Sequence, residues 1–152
     1  MIKISKQHEK NEMRKIQMTE KQEFWDIYDE NKQPTGRTMK RNDWCLKDGE
    51  YHLTVLGVIK RTDGRFLITK RVMTKAWAPG CWEVSGGAAM AGEDSKTAVL
   101  REIREETGLD VAAWDGGYLF TYRRDNPGEG EFFLIILLRP MTRRSSPSTI
   151  CS

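Results

Sequence analysis

Three things are scarce in this sequence of 152 residues, namely cysteine, an excess of one charge and long apolar segments. The three cysteines are widely spaced and form no Cys-x-x-Cys pair or Cys/His cluster, so neither a zinc site nor a disulfide framework is supported. A reducing cytoplasm is therefore the expected compartment. The 25 Lys and Arg residues nearly balance the 22 Asp and Glu residues, which gives no argument for nucleic-acid binding.

The apolar segments are too short for a membrane protein. The longest clean apolar run is residues 132–138, whereas a helix needs about 20 residues to cross a bilayer. Residues 1–15 lack the apolar stretch of a secretory signal. We therefore expect neither a membrane partner nor a secretion signal.

The length and the changes in composition predict one domain between two tails. Residues 1–22 are rich in Lys and Glu and predict a polar N-terminal tail or helix. Residues 23–139 carry the apolar and turn patterns of the domain. At residue 140 the composition changes abruptly to Arg, Ser, Thr and Pro, so residues 140–152 predict an irregular tail and a domain that is shortened at its C-terminal end.

Alternating strand and turn patterns surround a single clear helix. Residues 94–107 predict this helix, with Asp94 or Ser95 as its N-cap and Gly108 at its C-terminal end. An Asp-Gly turn at residues 63–64 predicts a hairpin. The predicted strands are residues 24–29, 37–41, 52–59, 65–71, 82–84, 117–123 and 131–139.

Acidic residues cluster on this helix. At about 100° per residue, Glu102 and Glu106 lie roughly 40° apart, and Glu105 lies about 60° to the other side. An apolar stripe beside them is expected to face the core, and Glu93 precedes the helix closely enough to fold back over its first turn. Like charges at this spacing repel. Either the face is solvated and relieved by neighbouring arginines, or it binds a hard divalent cation such as Mg²⁺, which prefers oxygen ligands.

The acids belong to a longer motif. The pattern G-x5-E-x7-R-E-U-x-E-E-x-G-U, where U is a bulky aliphatic residue, is met at every specified position. Those positions are Gly87, Glu93, Arg101, Glu102, Ile103, Glu105, Glu106, Gly108 and Leu109. The segment resembles the Nudix box of the Nudix hydrolase family. Residues 25–30 and 35–37 are similar to the N-terminal strands of its isopentenyl-diphosphate-isomerase-like branch.

The resemblance implies a fold and an activity. The fold is of the α+β or α/β class, a mixed β-sheet sandwiched between helices, with the Nudix helix at about residues 94–107. The activity is Mg²⁺-dependent hydrolysis of a pyrophosphate bond, with Mn²⁺ as the other cation to consider. The substrate is a small molecule, either a nucleoside diphosphate linked to another moiety or a related diphosphate.

The resemblance also implies roles within the box. Glu105 and Glu106 ligate the metal, Glu102 ligates it or acts as general base, and the carbonyl of Gly87 completes the ligand set. Arg101 orients Glu102 through an ion pair. In supporting roles, Glu93 stabilises this arrangement and Gly108 ends the helix. The residues expected to act in catalysis are thus Glu102, Arg101 and Glu105.

Outside the box the residues are less specific. Arg71 contacts the pyrophosphate or is an exposed strand-end arginine, while Trp77 and Trp82 stack on a base or belong to the core or a pocket wall. His52 is interpreted as a strand residue and not a ligand. Two glutamates, Glu129 and Glu131, are candidates for a further downstream glutamate, although a solvated turn explains both better.

Two other functions compete with hydrolysis. An isopentenyl-diphosphate isomerase, which shares the fold, needs a cysteine and a histidine after the Pro-Gly loop, but residues 82–87 contain neither and Cys81 comes too early. The other competing function is that of an inactive or nucleotide-binding module, which a shortened domain would favour. The intact set of acids argues against it. Shortening also predicts that the apolar strand 132–138 is left uncovered, which favours aggregation or a homodimer.

Overall fold

The computed structural model describes residues 22–74 and 78–141, so the segments predicted as tails lie almost wholly outside the described residues. Nine strands and one helix form within these residues, two strands more than the sequence predicts, because the predicted strand 65–71 is divided in two and residues 85–88 form a further strand. In chain order the elements are β1 (Phe24–Tyr28), β2 (Pro34–Lys40), β3 (His52–Lys60), β4 (Phe66–Leu67), β5 (Thr69–Lys70), β6 (Trp82–Glu83), β7 (Ser85–Ala88), α1 (Ser95–Thr107), β8 (Asp115–Arg124) and β9 (Glu131–Arg139).

Strand β3 organises a five-stranded mixed sheet. It pairs in antiparallel fashion with β4 and β7 and in parallel fashion with β9, whose other edge carries antiparallel β8. The parallel register runs from His52 opposite Glu131 to Ile59 opposite Leu138. Strands β1 and β2 form a separate hairpin, and β5 pairs with β6. The predicted mixed sheet is confirmed.

Helix α1 packs on one face of this sheet. Val99 and Ile103 from the predicted apolar stripe are fully buried against β3. Gly57 permits this contact, because a Cβ at that position would lie 2.6 Å from the Cδ1 atom of Ile103. Asp94 is the N-cap, with its carboxylate accepting from the Thr97 amide at 2.7 Å, and Gly108 ends the helix in the left-handed conformation. The predicted helix is confirmed.

The opposite face of the sheet is covered differently. Side chains alternate along a strand, so His52 points away from α1, and there the β1–β2 hairpin packs its buried Trp25, Ile27 and Met39. Within residues 22–74 and 78–141, α1 is the one helix. No helix in that part of the chain is long and apolar enough to cross a membrane.

The expectation of an uncovered strand at residues 132–138 is wrong. Strand β9 lies between β3 and β8, and Phe132, Ile135 and Leu138 are buried. Parallel pairing with β3 explains the difference, because it places the most apolar strand in the interior of the sheet. The edge strand β8 does expose apolar side chains, since Tyr118 and Phe120 are 61% and 52% exposed. The homodimer stays a prediction.

Candidate active site

Arg101 is the centre of the acidic cluster. Its guanidinium donates two hydrogen bonds of 2.9 Å to the carboxylate of Glu93 and one of 2.6 Å to Glu102. It also donates to the carbonyl of Ala88 at 3.1 Å and to Glu105 at 3.4 Å. The bonds to Arg101 lower the pKa of the Glu93 carboxyl, and the bonds to Glu93 raise the pKa of Arg101. The guanidinium of Arg101 therefore links α1 to the loop before it and to strand β7.

The remaining carboxylates differ in burial. Burial raises the pKa of Glu102 despite its bond to Arg101, and burial likewise raises the pKa of Glu106. Glu106 accepts from the amide of Gly86 at 3.2 Å and is repelled by the charge of Glu102. The side chain of Glu105 is 59% exposed. Of the two acids whose pKa is raised, Glu102 is half-buried and Glu106 is exposed at the surface, and their carboxylates lie near each other.

Strand β7 passes directly beneath these acids because it lacks a side chain there. A Cβ at Gly87 would lie 2.7 Å from the carboxylate of Glu102, so only glycine allows this approach. The predicted ligands Gly87, Glu102 and Glu106 are therefore neighbours.

The chemistry of these donors fits a hard divalent cation. Carboxylate oxygens are the ligands that Mg²⁺ prefers, and a cation would offset the burial of Glu102 and Glu106. Across residues 22–74 and 78–141, however, no three His, Cys, Asp or Glu side chains are already arranged to hold a metal ion. Arg101 occupies one oxygen of Glu102 and contacts Glu105. The metal ligands stay a prediction.

The loop between β7 and α1 is fixed through its backbone. Each amide of residues 89–93 donates a hydrogen bond of 2.7–3.0 Å. The acceptors, in order from Ala89 to Glu93, are the Leu53 carbonyl, the Glu93 carboxylate, the Phe24 carbonyl, the Asp26 carboxylate and the Met90 carbonyl. Sequence reasoning missed Asp26, because nothing near it in the chain signals a contact with residue 92.

Of the residues predicted to bind substrate, two can be placed. Arg71 is 20% exposed and bridges to the Glu83 carboxylate at 2.7 Å, so it is not an exposed strand-end arginine. Trp82 is 64% exposed, with the Lys70 ammonium 5.7 Å from its ring centroid, so the core explanation is wrong for this tryptophan. Trp77 lies outside the described residues. The charge of Glu83 also contributes to the raised pKa of Glu106, so the Arg71–Glu83 ion pair lies within electrostatic range of that acid.

A second polar cluster lies on the face of the sheet opposite α1. Glu131 is 7% exposed, accepts from the Thr54 hydroxyl at 2.7 Å and pairs with Arg124, so the solvated-turn explanation is wrong for Glu131. Its carboxylate lies 3.4 Å from His52, whose ring stacks on Trp25 with 4.7 Å between centroids. The solvated turn does describe the other downstream candidate, since Glu129 is exposed.

The buried histidine predicts an acid-sensitive fold. Burial lowers the pKa of His52 from 6.5 to about 4, so the unfolded chain binds a proton that the folded chain excludes. Stability is thus expected to fall as the pH drops from 6.5 towards 4, by about 3 kcal/mol from this group. The measurement is urea unfolding across this range for the protein and for His52→Phe, which keeps a ring against Trp25. Equal pH dependence in both would contradict the assignment.

Comparison with known proteins agrees with this geometry. The family model described as NUDIX domain matches residues 50–147, which is more than half of the chain. The chain belongs to the Nudix family. An uncharacterized Nudix hydrolase of Listeria monocytogenes is 34% identical over 113 residues, covering 74% of this chain and 66% of the relative. The chain spans two thirds or less of the length of such curated Nudix relatives.

Two further similarities concern the fold and the competing activity. A crystal structure of the Deinococcus radiodurans protein DR0079 has a TM-score of 0.64 at 24% identity, covering 79% of this chain and 74% of that one, which shows that the two chains share a fold. The isopentenyl-diphosphate Δ-isomerase of Kocuria rhizophila is 33% identical over 86 residues, which are 56% of this chain and 47% of that protein.

Proposed function

We propose that this Nudix protein hydrolyses a pyrophosphate bond with the help of a divalent cation, Mg²⁺ or Mn²⁺. The substrate class is a nucleoside diphosphate linked to another moiety, or a related diphosphate. One observation carries the proposal: Arg101 binds both Glu93 and Glu102 directly above the bare backbone of Gly87, so the box is assembled. The charge of Glu102 raises the pKa of the neighbouring Glu106, and this crowding of acids supports a site for positive charge.

The residues of the chain have separable tasks in this reaction. Glu102, Glu105, Glu106 and the carbonyl of Gly87 would hold the cation, which when bound neutralises phosphate oxygens and makes water more acidic. Arg101 restricts Glu102 to one orientation through its 2.6 Å hydrogen bond. Because burial raises the pKa of Glu102, this carboxylate is also suited to accept a proton from the attacking water.

Two groups next to the acids are suited to hold the substrate. Arg71 is a cation beside Glu83 and close to Glu106, where an anionic diphosphate needs a positive charge. The exposed ring of Trp82 offers a face on which a base can stack. Both assignments belong to the proposal.

The residues do not favour isomerase chemistry. Residues 82–87 contain neither cysteine nor histidine, and Cys81 is exposed before β6. His52 is buried under Trp25 on the face of the sheet opposite α1. An isomerase would need an acid and a base on both sides of a small substrate, and the described site offers the carboxylates of the box but neither a histidine nor a cysteine.

The activity is tested with a panel of nucleoside diphosphate derivatives. We expect release of nucleoside monophosphate or phosphate from at least one of them with Mg²⁺, no release in excess EDTA, and recovery when Mg²⁺ is added back, because the repelling acids and the anionic substrate need a counter-charge. The same panel with isopentenyl diphosphate tests isomerisation. Equal rates with and without EDTA would contradict the proposed cation, and no turnover of any diphosphate would contradict the proposed reaction.

A further inference from the structure

We propose that Asp26 is a positioning residue of the active site, which acts on Glu102 through the loop of residues 89–93. The inference rests on the proposed function and adds to it a residue from the β1–β2 hairpin. This hairpin precedes residues 50–147, which the family model matches.

The first step is the attachment of the loop to strand β1. The Asp26 carboxylate accepts a 2.7 Å hydrogen bond from the amide of Gly92, which is 66 residues away in the chain. The carbonyl of Phe24 accepts another 2.7 Å bond from the amide of Ala91. Two consecutive loop amides are thus held by one strand.

The attachment point is rigid. Trp25 and Ile27, on either side of Asp26, are 6% and 0% exposed and pack with Met39 in the core on the face of the sheet opposite α1. The backbone of Asp26 pairs with Thr38 of β2. Strands hold a side chain more firmly than loops do, so the Asp26 carboxylate is a fixed point against which the loop is set.

The loop needs such a fixed point at Gly92. This residue has φ +80°, and a Cβ there would meet nothing within 4 Å, so packing does not hold the loop at this position. The next residue is Glu93, whose carboxylate closes the turn by accepting from the Met90 amide at 2.9 Å. Releasing Gly92 therefore frees the backbone directly before Glu93.

Glu93 is linked to the acid Glu102 through Arg101. Its two oxygens each accept a 2.9 Å bond from Arg101, and Arg101 donates to Glu102 at 2.6 Å. A shift of Glu93 therefore moves the guanidinium that orients Glu102. Groups that hydrogen-bond directly to metal ligands change affinity or rate by about 10–100-fold, and Asp26 acts from further away, so the lower end of this range is expected for it.

The test compares three variants of the full chain. Asp26→Ala removes the acceptor, and we expect kcat to fall about 10-fold while KM changes less than about 2-fold. Asp26→Asn keeps an oxygen that accepts from Gly92, and we expect kcat within about 2-fold of the wild type. The matched control is Asp29→Ala, because the Asp29 carboxylate accepts from the amides of Asn31 and Gln33 in the turn of the same hairpin.

A second measurement does not depend on turnover. Amide hydrogen exchange at Ala91, Gly92 and Glu93, measured without substrate, is expected to accelerate about 10-fold in Asp26→Ala and to stay unchanged in Asp29→Ala. If no substrate is hydrolysed by the wild type, the proposed reaction fails, yet this exchange still tests the attachment. Unchanged exchange and kcat in Asp26→Ala would overturn the inference. So would equal losses in Asp26→Ala and Asp29→Ala, or an Asp26→Asn variant as slow as Asp26→Ala.

Discussion

Glu106→Gln is expected to lower kcat by about 10²-fold or more, because it removes a charged ligand of the proposed cation, whereas the loss of a mere partner of such a ligand costs about 10–100-fold. The same substitution is expected to stabilise the metal-free protein at pH 7. Glutamine keeps an oxygen that accepts from the Gly86 amide, but it removes a charge that burial and the neighbouring Glu102 disfavour. Activity and stability should therefore change in opposite directions.

The pH dependence of this stabilisation follows from the sign of the shift. Burial raises the pKa of Glu106 above its ordinary value of 4.5. Ionisation of Glu106 therefore destabilises the folded state increasingly as the pH rises from about 4.5 to the raised pKa of this side chain in the folded protein. The advantage of Glu106→Gln should be present at pH 7 and vanish below about pH 4, where both states are protonated. Thermal melting at the two pH values measures it.

Two further variants serve as comparisons for Glu106→Gln. Glu105→Gln is expected to lose activity as Glu106→Gln does. We expect no gain in melting temperature from this variant, because the Glu105 side chain is 59% exposed. Glu129→Gln changes an exposed glutamate outside the box and serves as the matched control. If both box variants hydrolyse substrate as fast as the wild type, the assignment of these acids to the active site is wrong.

Gly86→Ala is expected to destabilise the domain by about 3 kcal/mol or more, the upper range for overpacking a filled site. A Cβ at Gly86 would lie 2.2 Å from the backbone carbonyl oxygen of Val55 and 2.7 Å from the Cδ2 atom of Leu56. The first contact is with backbone, so the ladder between β3 and β7 must open to admit the methyl group. Urea unfolding measures the loss.

Gly117→Ala is the matched control for this glycine effect. Gly117 also lies in a strand, but nothing stands within 4 Å of the position where its Cβ would be. We expect its unfolding free energy to stay within about 0.5 kcal/mol of the wild type, as for most surface substitutions. Similar losses in both alanine variants would show that the steric conflict at Gly86 is relieved at little cost.

Local patterns explain why so much of the structure could be predicted. The helix is set by its own cap at Asp94, its stripe of Val99 and Ile103, and its terminal Gly108, all close together in the chain. The box places its acids on that one helix and the preceding loop, so their neighbourhood also follows from spacing. Several strands also follow from their turns, but the division of residues 65–71 into β4 and β5 does not, because the two pieces pair with different strands.

Features that depend on distant partners could not be predicted. The burial of Glu131 follows from its register opposite His52, and the interior place of β9 follows from the same parallel ladder. Neither residue carries a local signal of this pairing. The contact of Asp26 with Gly92 joins residues that are 66 apart and needs the complete fold to be seen.

The parallel ladder between β3 and β9 also has a consequence for biosynthesis. Strand β9 follows every other described strand in the chain, yet it occupies the middle of the sheet. The ribosome therefore delivers β3, β7 and α1 well before the strand that completes their sheet. Contacts between segments so far apart form slowly because a long loop must close first. The nascent domain thus leaves the backbone edge of β3 unpaired until β9 emerges, and unpaired strand edges favour aggregation.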